Sequence, residues 1–348
     1  MKHSVEKKTY PFSRTFSTAT RQYSSREVVH LTLWHGDVHG IGEAAPLAGW
    51  VDESVDEVSR ELSDLIAGLS PGTHPLEILG QSDEKGLCCS ARYALHSAIF
   101  DLVSKERGLP RWRVIREFFA AQYPGVFRDL GDNRGLLINA TLSASEDSEI
   151  QVAQDFVARG FRCLKVKVGG RALQKDLDRI ARLRDTFETV ALRLDANQSW
   201  DKATAIAALG ALDDFNIEYV EEPLLRTESW EPGELAEFRT RVAADESVRG
   251  LDDLQPQIDE GVEVFVIKPA QFGGFDTLFE ARRRLQERGS ELVITSSLDS
   301  IGRFFAAEVA YALGLESPCG LATGGWIEDG LEDPLYATDR GMCWRLSS

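Results

Sequence analysis

The chain has 348 residues, of which 43% are hydrophobic and 27% charged, enough to bury a large core with a smaller unit beside it. Its 39 lysines and arginines are outnumbered by 56 acids, for a net charge of −17 and a pI near 4.9, a field that disfavours nucleic-acid backbones. No apolar run approaches the roughly 18 residues a membrane span demands, so any anionic substrate would have to be met by a few placed cations.

Residues 5–17 and 27–34 read as strands, and Gly36, Gly40 and Gly42 punctuate a hairpin that runs into the loop Gly42-Glu43-Ala44-Ala45-Pro46-Leu47-Ala48-Gly49-Trp50. Apolar spacings of three and four then predict amphipathic helices over 52–69 and 87–103. Residues 1–130 are thus expected to form an α+β unit. From 136 onward the regularity changes. Short β-branched runs end near Leu142, Val168, Asp195, Glu221, Asp245, Lys268, Ser296 and Ala322, and each of the first seven is followed by a polar turn and a helical segment. Markers in the first seven (Asn139, Lys165, Asp195, Glu221, Asp245, Lys268, Ser296) recur every 23 to 30 residues. Eight such units over 131–324 predict a parallel sheet closed into a barrel. An open doubly wound sheet fits less well, because neither a Gly-x-Gly-x-x-Gly fingerprint nor a P-loop is present. The tail, about 325–348, breaks the repeat and is expected to return to the N-terminal unit.

Five cysteines (Cys88, Cys89, Cys163, Cys319, Cys343) without a Cys-x-x-Cys pair point to a reduced, cytoplasmic setting. Cys163, in a strand, is expected to be a structural core residue. All six histidines precede residue 97, so the barrel has no imidazole for zinc or for a Ser-His-Asp relay.

Barrel active sites lie where strands end. Those ends carry Lys165 and Lys167, then Asp195, Glu221 with Glu222, Asp245 with Glu246, then Lys268. Each residue alone reads equally well as a turn, a cap or a solvated surface. Acids on three consecutive strand ends with lysines on the two flanking ones do not. Three convergent carboxylates would push one another's pKa values up at about 1.36 kcal/mol per unit, a penalty that a divalent cation removes. Hard oxygen ligands select magnesium or manganese. Lysine is left as the base, its ordinary value of about 10.4 lowered toward ~7–8 by a neighbouring ammonium, the cation and burial, with the carboxylates opposing. Such a site suits removal of a proton next to a carboxylate, because only preorganised positive charge makes the developing anion accessible.

In Leu-Lys165-Val-Lys167-Val-Gly, Leu-Arg-Leu-Asp195-Ala-Asn197, Tyr-Val-Glu221-Glu222-Pro, Ala-Asp245-Glu246-Ser and Val-Ile-Lys268-Pro, the chain resembles the enolase superfamily over essentially its whole length, in the branch of the muconate-lactonising enzymes. The resemblance implies a (β/α)7β barrel under an N-terminal capping domain that the tail completes. It implies magnesium on Asp195, Glu221 and Asp245, Lys167 as base, Lys165 beside it, and Lys268 as the cation on the opposite face. Within the branch, Gly42–Leu47 with Gly49-Trp50, and Thr295-Ser296-Ser297-Leu298-Asp299-Ser300, are most similar to the o-succinylbenzoate synthases. That similarity implies dehydration of 2-succinyl-6-hydroxy-2,4-cyclohexadiene-1-carboxylate in menaquinone biosynthesis, a small anionic carboxylate as substrate, and Ser296, Ser297 and Asn197 as substrate contacts. N-succinylamino acid racemase is the alternative, with muconate cycloisomerase third. The eighth run, Gly320–Gly325, lacks the Asp-x-Asp of dipeptide epimerases. A catalytically dead binding scaffold is disfavoured, because every expected charged position is filled.

Overall fold

The computed structural model describes residues 2–17, 22–70, 72–84, 86–128, 134–142 and 148–346. The N-terminal sheet is an antiparallel meander of β1 (Lys2–Ser17), β2 (Gln22–His35) and β3 (Val38–Ala44). Gly36, at φ +58°, makes the tight β2–β3 turn. Gly40 and Gly42 lie within β3 for a different reason: helix α3 (Cys89–Arg107) runs directly over them. A Cβ at Gly42 would sit 2.0 Å from the Ala94 carbonyl oxygen, and one at Gly40 would sit 2.2 Å from that of Ala98. Gly42→Ala is therefore expected to destabilise the fold by about 1–3 kcal/mol through overpacking, read as a lower urea midpoint. Helix α1 (Val55–Ala67), opened by a Ser54/Glu57 capping box, buries Val58, Leu62, Leu65 and Ile66. The unit also contains α2 (Glu77–Glu84) and α4 (Arg111–Phe119).

After the two-residue strand β4 (Leu136–Leu137) come seven parallel strands in consecutive order: β5 (Ala140–Leu142), β6 (Cys163–Lys167), β7 (Ala191–Asp195), β8 (Ile217–Glu221), β9 (Arg241–Ala244), β10 (Val264–Ile267) and β11 (Glu291–Ile294). Residues 319 and 320 close the ring. Cys319 bridges Ile138 and Gly320 bridges Thr295, both in parallel fashion, with Asn139 N donating to Cys319 O at 3.0 Å and Ser296 N to Gly320 O at 3.1 Å. The eighth run is thus a two-residue seam, and the architecture is a (β/α)7β barrel with an N-terminal cap.

The crossovers are α5 (Glu149–Arg159), α6 (Leu173–Thr186), α7 (Lys202–Leu212), α8 (Leu254–Asp259), α9 (Pro269–Phe272) with α10 (Phe275–Glu287), and α11 (Gly302–Ala312). Between β8 and β9 the expected helix is replaced by a single 3₁₀ turn at Glu234–Glu237, because Pro223 and Pro232-Gly233 interrupt helical hydrogen bonding. The expected domain boundary near residue 130 lies outside the described residues. The tail touches both units: Glu328 N donates to Pro11 O at 2.9 Å, while β12 (Leu335–Thr338) and β13 (Gly341–Trp344) form a hairpin whose second strand pairs with β4.

Candidate active site

Strand alternation decides what reaches the mouth of the barrel. In β10, Phe265 and Ile267 join the core under the helices, whereas Val264 and Val266 join Tyr219, Ala243 and Val293 in an inner cluster. Lys268 continues the inner phase. The same phase carries Cys163, Lys165 and Lys167 along β6, Arg193 and Asp195 along β7, Tyr219 and Glu221 along β8, and Ala243 on β9 with Asp245 just beyond its end. Below the mouth the buried Arg193 guanidinium lies 4.9 Å from the Tyr219 ring and pairs with Glu218 at 2.9 Å. Cys163 is buried, its thiol pushed up to about 12 by that burial, so it is core and not nucleophile.

Lys165, Lys167, Asp195, Glu221, Asp245, Lys268, Asn197, Ser296 and Ser297 all line one cavity of about 460 Å³, roofed by Leu47, Gly49, Trp50 and Val51 of the capping loop. The Lys165 ammonium lies 2.9 Å from Asp195 Oδ2 and 2.7 Å from Glu221 Oε1. Lys268 pairs with Asp245, and its ammonium lies 4.3 Å from the centre of the Trp50 ring, a cation–π contact that ties cap to barrel. Among the described residues Lys167 makes no ion pair.

Burial pulls the Lys165 ammonium down, but Asp195, Glu221 and Asp245 outweigh it and hold its pKa well above the ordinary lysine value. Burial raises the Asp195 carboxyl, yet Lys165 and Lys167 bring it below its usual range. Glu221 is held well above its usual range by burial, with Asp195 and Asp245 adding to the rise against Lys165.

Among the described residues no three carboxylates, thiols or imidazoles converge at cation-binding separation; ammonium groups stand against the three acids instead. The donor set nevertheless fits a hard divalent ion. Glu221 is fully buried, and its Oε2 has no hydrogen-bond partner. It stands on the strand between those carrying Asp195 and Asp245. An orphaned carboxylate oxygen of this kind is costly unless a cation or donor meets it.

Supporting residues were only partly visible in the sequence. Glu222, at φ +44°, turns away from the cavity centre: its Oε1 accepts from Asp245 N at 2.6 Å and from Ser247 N at 2.7 Å, and its Oε2 accepts from Gln198 at 3.0 Å. It fixes the loop that presents Asp245. Asn197 donates to Glu246 at 3.1 Å, and Ser296 Oγ accepts from Leu298 N at 3.0 Å. Arg26, on β2, is buried and joins the two units. It donates to Pro46 O at 2.6 Å, to Ala45 O, to Leu298 O at 3.2 Å and to Ser297 O at 3.4 Å. Glu43 accepts from Ser300 N at 2.8 Å and from Ile301 N and Gly302 N at 3.2 Å, capping α11 from the opposite domain.

Asp299 sits in this interface, its carboxyl pushed up to about 6 by burial and by Glu43, against Arg26. A carboxyl raised in the folded state costs stability once ionised, so Asp299 destabilises the fold as pH rises from its unfolded value of about 3.9 through 6. Asp299→Asn is expected to remove that slope and to raise the melting temperature at pH 8 relative to wild type, as read from melting temperatures between pH 4 and 8.

The family model described as "Enolase C-terminal domain-like" matches residues 149–342. The o-succinylbenzoate synthase of Mycobacterium tuberculosis is 36% identical over 214 residues, 58% of this chain and 62% of that protein. The chain thus spans less than two thirds of that relative. The N-succinylamino acid racemase of Thermus thermophilus is 27% identical over 254 residues, 72% of this chain and 64% of that protein. A dipeptide epimerase from Enterococcus faecalis, solved with Mg and a dipeptide, superposes over 98% of both chains with a TM-score of 0.80 at 22% identity, a likeness of fold. Taken with the barrel and the order of charges around its mouth, these matches show that the chain belongs to the enolase superfamily, in its mandelate racemase and muconate-lactonising branch.

Proposed function

We propose that the protein is a magnesium-dependent enzyme that moves a proton at the carbon next to a substrate carboxylate. One observation carries this reading: Lys165 is pinned and kept protonated by two carboxylates, while Lys167, two residues on and on the same strand face, lines the cavity without an ion pair. Asp195, Glu221 and Asp245 would hold magnesium or manganese, which supplies positive charge to the substrate carboxylate as negative charge develops there. Lys167 takes the proton. Lys165 and Lys268 supply fixed positive charge, and the capping loop excludes water.

The reaction we assign is dehydration of 2-succinyl-6-hydroxy-2,4-cyclohexadiene-1-carboxylate to o-succinylbenzoate, in menaquinone biosynthesis. Lys167 removes the proton beside the ring carboxylate, then returns it to the departing hydroxyl, which leaves as water. The mycobacterial relative supports this assignment. N-succinylamino acid racemisation is the second reading, favoured by Lys268, whose strand lies four places from that of Lys167 in the sheet order and so faces it across the barrel. The Thermus relative also weighs toward it, so the comparisons leave the two reactions undistinguished.

Purified protein, with and without magnesium, is to be given the cyclohexadiene substrate and, separately, an N-succinylamino acid in deuterated water. Magnesium-dependent dehydration is expected. Deuterium exchange and racemisation without dehydration would reverse the order of the two readings, and turnover of neither would overturn the assignment.

A further inference from the structure

The lysines at the barrel mouth are largely committed to carboxylates, yet the same cavity has two further cations on its rim. Arg226, in the loop after β8, and Arg249, in the loop after β9, line it, and among the described residues neither makes an ion pair. Arg249 Nε makes a long hydrogen bond to the Glu246 carbonyl at 3.5 Å. Glu246 lines this cavity as well as an adjoining one of about 270 Å³, which Arg226, Glu228 and Arg249 also line; its Oε1 is taken by Asn197, and neither Glu228 nor Glu246 pairs with the two arginines. The next loop in sheet order, α9, brings Gln271 to the first cavity, and its side-chain Nε2 is buried with no acceptor. The segments after three adjacent strands therefore bring two guanidiniums without an ion pair and one amide N–H without an acceptor to the same cavity, beside Glu246. A buried amide N–H without an acceptor is costly, and in a protein of net charge −17 two guanidiniums spared from ion pairing at one cavity wall are available to an anion.

We propose that Arg226, Arg249 and Gln271 form a second anion subsite that takes the distal carboxylate of a dicarboxylate substrate, while the carboxylate beside the reacting carbon sits over Asp195, Glu221 and Asp245. The assignment rests on the reading of the site given above, in which both candidate substrates carry a second carboxylate on a short flexible arm, and it names the residues that hold that carboxylate. Guanidinium suits this role, since it stays charged and can grip a carboxylate through two parallel hydrogen bonds.

The test is calorimetric titration of the magnesium-loaded protein with o-succinylbenzoate and with 2-butyrylbenzoate, an inert pair of nearly equal shape that differs in the distal carboxylate. Wild type is expected to bind the dianion at least about tenfold more tightly, a gap of about 1.4 kcal/mol. Arg226→Met/Arg249→Met should bring the two affinities together while leaving that for 2-butyrylbenzoate unchanged, and Gln271→Leu should narrow the gap in part. Both arginines are exposed, so these variants are expected to fold, which a thermal melt confirms. No preference in wild type, or a preference unchanged in the double variant, overturns the subsite. Because the readout is binding of non-reacting ligands, it separates from the reaction assignment: a preference lost in the double variant with no dehydration by wild type sinks the reaction alone, and dehydration with an unresponsive preference sinks the subsite alone.

Discussion

Lys167→Ala is expected to lower kcat/KM by about 10³–10⁴-fold, in the range that a positioned general base contributes, with no loss of fold. The side chain is exposed at the end of β6 and makes no ion pair among the described residues, so its removal neither opens a core cavity nor strands a buried charge. Lys165 cannot substitute for it, because its ammonium is held by Asp195 and Glu221 and a lysine kept protonated accepts nothing. The measurement is turnover of the cyclohexadiene substrate, with circular dichroism and a thermal melt as controls. Near-wild-type turnover would remove Lys167 as the base. Lys268→Arg makes a companion test, since arginine keeps the charge but cannot act as a base. Dehydration should survive in part if Lys268 is electrostatic only, whereas racemisation, which needs a base on each face, should be lost.

The barrel could be read from the sequence because its chemistry is periodic. Residues one strand apart recur every 23 to 30 positions, and alternation of two places each strand-end charge on the inner face. Glu222 and Glu246 next to the expected ligands show where this reasoning stops: adjacent acids are equivalent on paper, and only the positive φ at Glu222 and its bonds to Asp245 N and Ser247 N send one of them into support. The helix expected after β8 failed because periodicity was extrapolated across prolines that forbid it. Arg26 and Gln271 carry no local signal, and Trp50 stood out only as part of the capping-loop motif, not for its contact with Lys268. Their roles come from contacts 20 to 272 positions away along the chain, such as Arg26 to Pro46 and Leu298, or from an irregular loop closing over a cavity. The state of Lys165 was also out of reach, because burial and three carboxylates act on it in opposite directions and geometry alone decides which wins.

Magnesium should stabilise the wild-type protein and have no such effect on Glu221→Gln. A ligand that binds only the folded state adds about 2.7 kcal/mol at a hundred times its Kd, so the wild-type melting temperature should climb with magnesium and fall back on chelation, taking turnover with it. Glu221→Gln keeps the shape of the buried side chain but replaces one of three charged oxygen donors with an amide, and both the shift and the turnover should disappear. Lys165 makes the experiment sharper. Its ammonium now neutralises Asp195 and Glu221, so an entering cation competes with it for the same oxygens. Lys165→Met strips that counter-charge and leaves two buried carboxylates facing each other. The metal-free variant is expected to melt lower than wild type, since breaking a buried pair typically costs about 3–5 kcal/mol, and to gain more from magnesium than wild type does. A Lys165→Met protein that loses stability but gains nothing from the cation would mean that these carboxylates exist to hold the lysine, and the metal assignment would fall with it.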